Sequence, residues 1–186
     1  MSWYTHTIFA LIFTLIIFQV FNLPASILIL ALAGLGGLAP DLDARQSKIK
    51  HLKVPIGRRR KDYIKPFLPL AGIFHIIFRH RRLMHSLLFI FILIAMAFGI
   101  HYFYSVPAFY YIAFLLGYFS HLLVDAMTKS GIMFFYPWKK SIHFLPKSIS
   151  INTGSINEHL FFAFLILVMA LWLKFNPKLL SNLMAI

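Results

Sequence analysis

Nine histidines and five acidic residues are all that this 186-residue chain offers for acid–base or metal chemistry. Their spacing is uneven. His121 and Asp125 stand four apart, so a helix puts both on one face within reach of one ion. Asp41-Leu42-Asp43 follows Pro40, a break at which two carboxylates can turn into a shared cavity. His80 and His85 are five apart, which does not suit one helical face, so His80 is expected before a helix and His85 inside it. His6 lies near the start, and Glu158 follows Thr153-Gly154-Ser155. Neutral imidazole and carboxylate suit a divalent transition metal such as Zn, Mn or Fe better than Ca or Mg. The candidate ligands His6, Asp41, Asp43, His85, His121 and Asp125 outnumber the four of a closed site. They fit two ions, or one ion with supporting residues and a general base. With no cysteine there is no disulfide framework, no Cys-ligated zinc and no thiol nucleophile.

The elements that must position these groups are membrane helices. Apolar residues make up 60% of the chain and charged ones 12%, with mean hydropathy +0.80. Soluble domains carry about 45–50% and about 25%. A soluble globule, a disordered chain and a soluble DNA-binding domain are therefore excluded. Five stretches approach the roughly 20 apolar residues a span needs: residues 5–21, 24–38, 83–104, 107–127 and 158–173. The expected fold is an all-α polytopic bundle, a single integral membrane domain over residues 1–186. Asn22-Leu23-Pro24 reads as a tight helical hairpin, and Gly34, Gly36 and Gly37 allow close helix approach. The start lacks the basic segment of a cleavable signal, so the first span is read as retained. Residues 67–80, apolar with a basic end, are expected to lie in the interface.

Lysine and arginine set the orientation, because short cytoplasmic loops collect them. Net charge is +13, and 16 of the 18 basic residues fall on one side. They lie in the loop 44–66, before the third span and in the connection 128–157, leaving Lys174 and Lys178 opposite. The reading is a multi-pass protein of the cell (inner or plasma) membrane with its N-terminus and large loops cytoplasmic. Trp3, Tyr4, Tyr136 and Trp138 mark the inner interface, and Tyr102, Tyr104, Tyr110, Tyr111 and Trp172 the outer. On this topology, fixed by Lys and Arg alone, one end of each of the five spans brings metal-competent His, Asp or Glu residues to one membrane depth, on the cytoplasmic face. Ionisable groups inside membrane segments are costly, so their convergence points to function.

Each group also has a plainer reading. His121 and Asp125 serve equally as interhelical hydrogen-bond glue, and Asp41 and Asp43 as solvated residues after a helix stop. Ser155 and Glu158 make a capping box for the fifth span, against a catalytic role for Glu158. The N–H groups around Thr153, Gly154 and Ser155 could instead cradle a phosphate. His80 and Arg81 serve topology, or bind an anionic substrate, Arg81 through its bidentate fork. The basic loop suits anionic lipid. Its Pro55, Gly57 and lack of apolar periodicity argue against nucleic acid as a partner.

Thr5-His6, Pro40-Asp41-Leu42-Asp43, His80-Arg81-Arg82-Leu83-Met84-His85-Ser86, Ser120-His121-Leu122-Leu123-Val124-Asp125 and Thr153-Gly154-Ser155, in this order, resemble the YdjM-like membrane-bound metal-dependent hydrolases. This group is also described as LexA-binding and inner-membrane-associated. Thr128, Gly131 and Pro137-Trp138 fit the same pattern. Ala44 departs from it where the acidic motif often continues with His, and Met84 where Thr often precedes the second His. The resemblance implies a metal-dependent hydrolase, and it strengthens His6 as a ligand. The expected reaction is attack of a metal-activated water on an ester or phosphoester, an anionic small molecule or lipid, at the cytoplasmic face. Asp41 or Asp43 would serve as base, with Arg81 and Glu158 as further catalytic candidates. The alternatives are a non-catalytic regulatory or adaptor protein with a protein partner and a structural metal site, and a metal or ion transporter.

Overall fold

The computed structural model describes residues 1–43, 54–55, 63–64, 81–177 and 179, apart from the side chains of residues 42, 43, 54, 55, 63, 64, 81 and 82. The interfacial segment expected at 67–80 lies outside the described residues, as does most of the basic loop. The helices are α1 (Trp3–Val20), α2 (Ile27–Leu38), α3 (Arg81–Met84), α4 (Leu87–Tyr104), α5 (Ala108–Ala126) and α6 (Ile156–Phe175). A 3-10 turn, Ala39–Asp43, continues α2. Two-residue strands β1 (Val54–Pro55) and β2 (Tyr63–Ile64) pair antiparallel, Val54 opposite Ile64. The architecture is all-α.

Four helices, α1, α4, α5 and α6, have 18 to 20 residues. At about 1.5 Å per residue each covers about 30 Å, the thickness of the hydrocarbon layer. The second expected span is shorter than the others. Its 12 residues reach only about 18 Å. Ser26 caps its start, accepting from Ile29 N at 3.4 Å, and Pro40 ends its regular hydrogen bonding. The hairpin before it turns through Asn22 at φ +51°, with Leu23 N donating to Phe18 O at 2.8 Å.

This short helix sits between α1 and α5, and glycine is why it fits. A Cβ at Gly36 would stand 2.1 Å from Phe114 O, and one at Gly117 2.0 Å from Ala33 O. At Gly37 it would meet Ala10 Cβ at 2.8 Å. Backbone therefore lies on backbone, the contact small residues permit in membrane bundles. Around the seam, Phe18, Ile29 and Ala113 close the core toward the hairpin end. Met84, Phe89, Tyr118, Leu122, Ile132 and Phe134 close it at the other end. α4 and α6 are mostly exposed, with Phe91, Phe98, Leu160 and Phe164 turned outward as befits lipid-facing helices.

Candidate metal centre

Antiparallel threading brings the start of α1, the turn after α2, the turn before α4 and the end of α5 to one end of the bundle. There Asp125 is the hub. His6 Nε2 lies 3.4 Å from its Oδ1, and His121 Nε2 lies 3.4 Å from its Oδ2. His85 Nε2 is 3.7 Å from that same Oδ2 and 3.7 Å from Asp41 Oδ1. The Met1 nitrogen is also 3.2 Å from Oδ1. Two triads, His6–Asp41–His121 and His85–His121–Asp125, each place their ligand atoms within 4.8 Å of one another.

Hydrogen bonding prepares His121 for a ligand. Its Nδ1 is 2.7 Å from Gly37 O, and a carbonyl only accepts, so Nδ1 carries the proton. That leaves Nε2, which is buried and faces Asp125 Oδ2 at 3.4 Å, as the atom with a lone pair available to an ion. A ring N–H fixed by a backbone carbonyl is the usual way a protein orients a metal-binding imidazole. Both ring nitrogens of His6 are likewise buried, Nε2 facing Asp125 Oδ1 and Nδ1 without a hydrogen-bond partner among the described residues. The His6 and His121 rings stack with centroids 3.8 Å apart and an interplanar angle of 13°, and the His85 ring meets His121 edge-on at 5.3 Å. Stacking at that spacing opposes positive charge on both rings at once, whereas neutral imidazoles are what an ion requires. Buried imidazole nitrogens converging on a carboxylate hub are what a divalent ion would satisfy, so these residues fit one.

The pocket has a floor and a rim. His6 and His121 are fully buried, while the side chains of His85, Asp125 and Asp41 are 14%, 18% and 27% exposed. His85 is not inside a helix as its sequence suggested. It occupies the turn between α3 and α4. Ser86 is extended there and its Oγ donates to Leu83 O at 2.6 Å, while Leu87 N turns to Phe134 O at 2.9 Å instead of continuing the helix. The Tyr118 hydroxyl donates to Met84 O and steadies this turn. The side chains of Asp43 and Arg81, and all of His80, lie outside the described residues.

Residues 1–184 match the YdjM inner membrane protein family. The chain belongs to that family. No curated protein and no solved structure matches it. Family membership and four long apolar helices together make it a membrane protein.

Glu158 does not join the histidines. Its carboxylate is fully buried. It accepts from Ser2 N at 2.5 Å, Ser2 Oγ at 3.1 Å, Thr5 Oγ1 at 3.1 Å and Gly154 N at 2.5 Å. Four donors meet the requirement that a buried charge be hydrogen-bonded. Half of the expected capping box is present, since Ser155 Oγ accepts from Glu158 N at 3.4 Å. The other half is displaced, because the Glu158 side chain reaches Gly154 N and α1 instead. The phosphate cradle expected at Thr153-Gly154-Ser155 is corrected for the same reason. Gly154 N is taken by Glu158, and Ser155 N donates to Asn152 O at 3.1 Å.

Glu158 thus ties α6 to the turn of α1 that carries His6. Glu158→Ala is expected to lower the apparent Tm and, for an ion held through His6, to weaken its retention about tenfold or more. Competition with a graded chelator series measures the second; unchanged affinity would show that α1 holds His6 unaided. The Gly37 carbonyl, the Ser2 and Thr5 donors and the Tyr118 hydroxyl escaped sequence reasoning. A backbone acceptor has no side-chain signature, and Gly37 was legible only as a point of close helix approach.

Proposed function

We propose that the chain is a membrane-embedded, metal-dependent hydrolase acting on an anionic phosphoester at the cytoplasmic end of the bundle. The single observation that carries this reading is the buried Nε2 of His121, oriented by the Gly37 O contact at Nδ1 and facing Asp125 Oδ2 at 3.4 Å. His6, His85, His121 and Asp125 would hold the ion. When bound, a divalent transition ion supplies Lewis acidity, lowering the pKa of water toward about 7 and polarising the scissile group. Asp41 stands at the rim, the more exposed of the two carboxylates. It is placed to accept the proton of the attacking water and to pass it to solvent. Both Asp125 oxygens already face imidazoles, so that carboxylate is committed to holding the centre together. The floor of His6 and His121 excludes water from below, and substrate approaches from the Asp41–His85 side. The excess of Lys and Arg in the sequence connections at this end of the spans favours an anionic substrate and, by the charge rule, supports a cytoplasmic setting.

The test is elemental analysis of detergent-purified protein, followed by a screen of lipid and soluble phosphomono- and phosphodiesters with and without chelator. Turnover lost on chelation and restored by one ion of the Zn, Mn and Fe series is the expected result. Metal held firmly with no turnover of any ester would move the protein to the adaptor reading. Asp41→Asn separates the roles further. It should retain the ion and lose about 100-fold or more in turnover, whereas Asp125→Asn should lose the ion itself.

A further inference from the structure

Between Asp125 and Glu158 the chain carries four lysines and no acidic residue. This connection does not trail away from the bundle. Ile132 and Ile142 form an antiparallel bridge, with N–O distances of 3.1 and 2.8 Å, that closes a hairpin over residues 132–142. The hairpin is fastened at two points. Phe134 is buried and its carbonyl accepts from Leu87 N, the first residue of α4; Phe144 N donates at 2.8 Å to Ala126 O, the last residue of α5. Both anchors are helix ends at the metal-centre end of long apolar helices, so the hairpin stands where α4 enters the bilayer.

From that level it exposes side chains that water alone would not favour. Phe135 is 53% exposed and Trp138 74%, beside the exposed Lys139 and Lys140. Phe135, Trp138, Lys139, Lys140 and Ile142 line a groove of about 590 Å³. Indole rings collect at the headgroup level, and lysine beside them reaches to phosphate while its stem lies on apolar surface.

The geometry points to this hairpin as an interfacial clamp for anionic phospholipid: Phe135 and Trp138 enter the headgroup–acyl boundary, and Lys139 and Lys140 take the headgroup phosphate. Charge complementarity selects this occupant, since no carboxylate in the connection offsets the lysines. Position at the α4 entry selects a lipid over a soluble acidic partner. The clamp uses none of the His and Asp side chains of the metal centre and does not depend on catalysis.

The test uses the full chain with Trp3→Phe and Trp172→Phe, so that Trp138 is the one indole. It is reconstituted with brominated phosphatidylglycerol or with brominated phosphatidylcholine at equal mole fraction. The relative association constant of the anionic lipid at Trp138, read from the quenching, should exceed that of the zwitterionic one by about fivefold for each lysine engaged. Lys139→Gln with Lys140→Gln should bring the two lipids level while leaving metal content unchanged. Equal quenching by both lipids before any lysine is changed would overturn the proposal. So would no quenching by either lipid. Binding of a soluble polyanion that is lost in the lysine variant while lipid quenching persists would also overturn it, assigning the lysines to another partner.

Discussion

His121→Ala is expected to bring the metal content of the detergent-purified protein from about one ion per chain to background, the largest single-residue effect at the centre. The expectation of one ion rests on lone pairs. The two ligand triads share His121. Its Nδ1–H is committed to Gly37 O, so one lone pair remains, on Nε2, and it can serve only one triad at a time, leaving the other with two ligand groups. The loss should exceed about 100-fold in affinity, more than the 10–100-fold typical of a supporting residue. Inductively coupled plasma measurement on wild type, His121→Ala and His159→Ala provides the comparison. His159 pairs with Tyr4 at 3.4 Å, away from the Asp125 hub, and its loss should leave metal content unchanged. Two ions per wild-type chain would refute the lone-pair argument. Metal retained by His121→Ala would remove the centre altogether.

Gly117→Ala should be the most disruptive substitution outside the ligands. The added Cβ would sit 2.0 Å from Ala33 O and 3.0 Å from Ala33 Cα, against backbone that no rotamer change can move. α2 and α5 must separate, at a cost of about 3 kcal/mol. Separation also draws Gly37 O away from His121, so metal affinity should fall with stability although no ligand is altered. Gly36→Ala, opposed by Phe114 O at 2.1 Å, should behave alike. Two glycines serve as controls. Gly34 would place its Cβ 3.8 Å from Thr7 Cγ2, and Gly99 would meet nothing within 4 Å among the described residues. Alanine at either should be neutral or stabilising by up to about 1 kcal/mol, the helix-propensity gain. Thermal melts in detergent, paired with metal titration, read both quantities. A Gly117→Ala protein that melts and binds as wild type does would show that the helices do not touch as described.

The convergence of ligands was legible because membrane topology is a strong constraint. Once Lys and Arg orient the spans, the end of each helix at which a residue lies follows from the sequence. His6, Asp41, His85, His121 and Asp125 are indeed found together at one end. Finer placement was less legible. His85 was expected in a helix and lies in a turn, because the choice was made by Phe134 O, 47 positions onward, competing for Leu87 N. The second stretch, short already in the sequence at residues 24–38, is trimmed further to 12 helical residues, with Ser26 as its cap. Glu158 carried a satisfactory local explanation as a helix cap, and that local fit concealed its longer bonds to Ser2 and Thr5.

By itself the sequence determined a helical membrane bundle, the inventory of metal-competent side chains and the end at which they gather. These follow from hydrophobic length and from the cost of placing charge in lipid, both additive along the chain. Tertiary structure alone decided which His121 nitrogen is free, that Asp125 rather than Asp41 is the hub, and that Glu158 fastens α1 to α6. Those outcomes depend on backbone carbonyls and amides, which every residue type shares, and on partners as much as 156 positions apart. The pattern of side chains along the sequence carries no record of them.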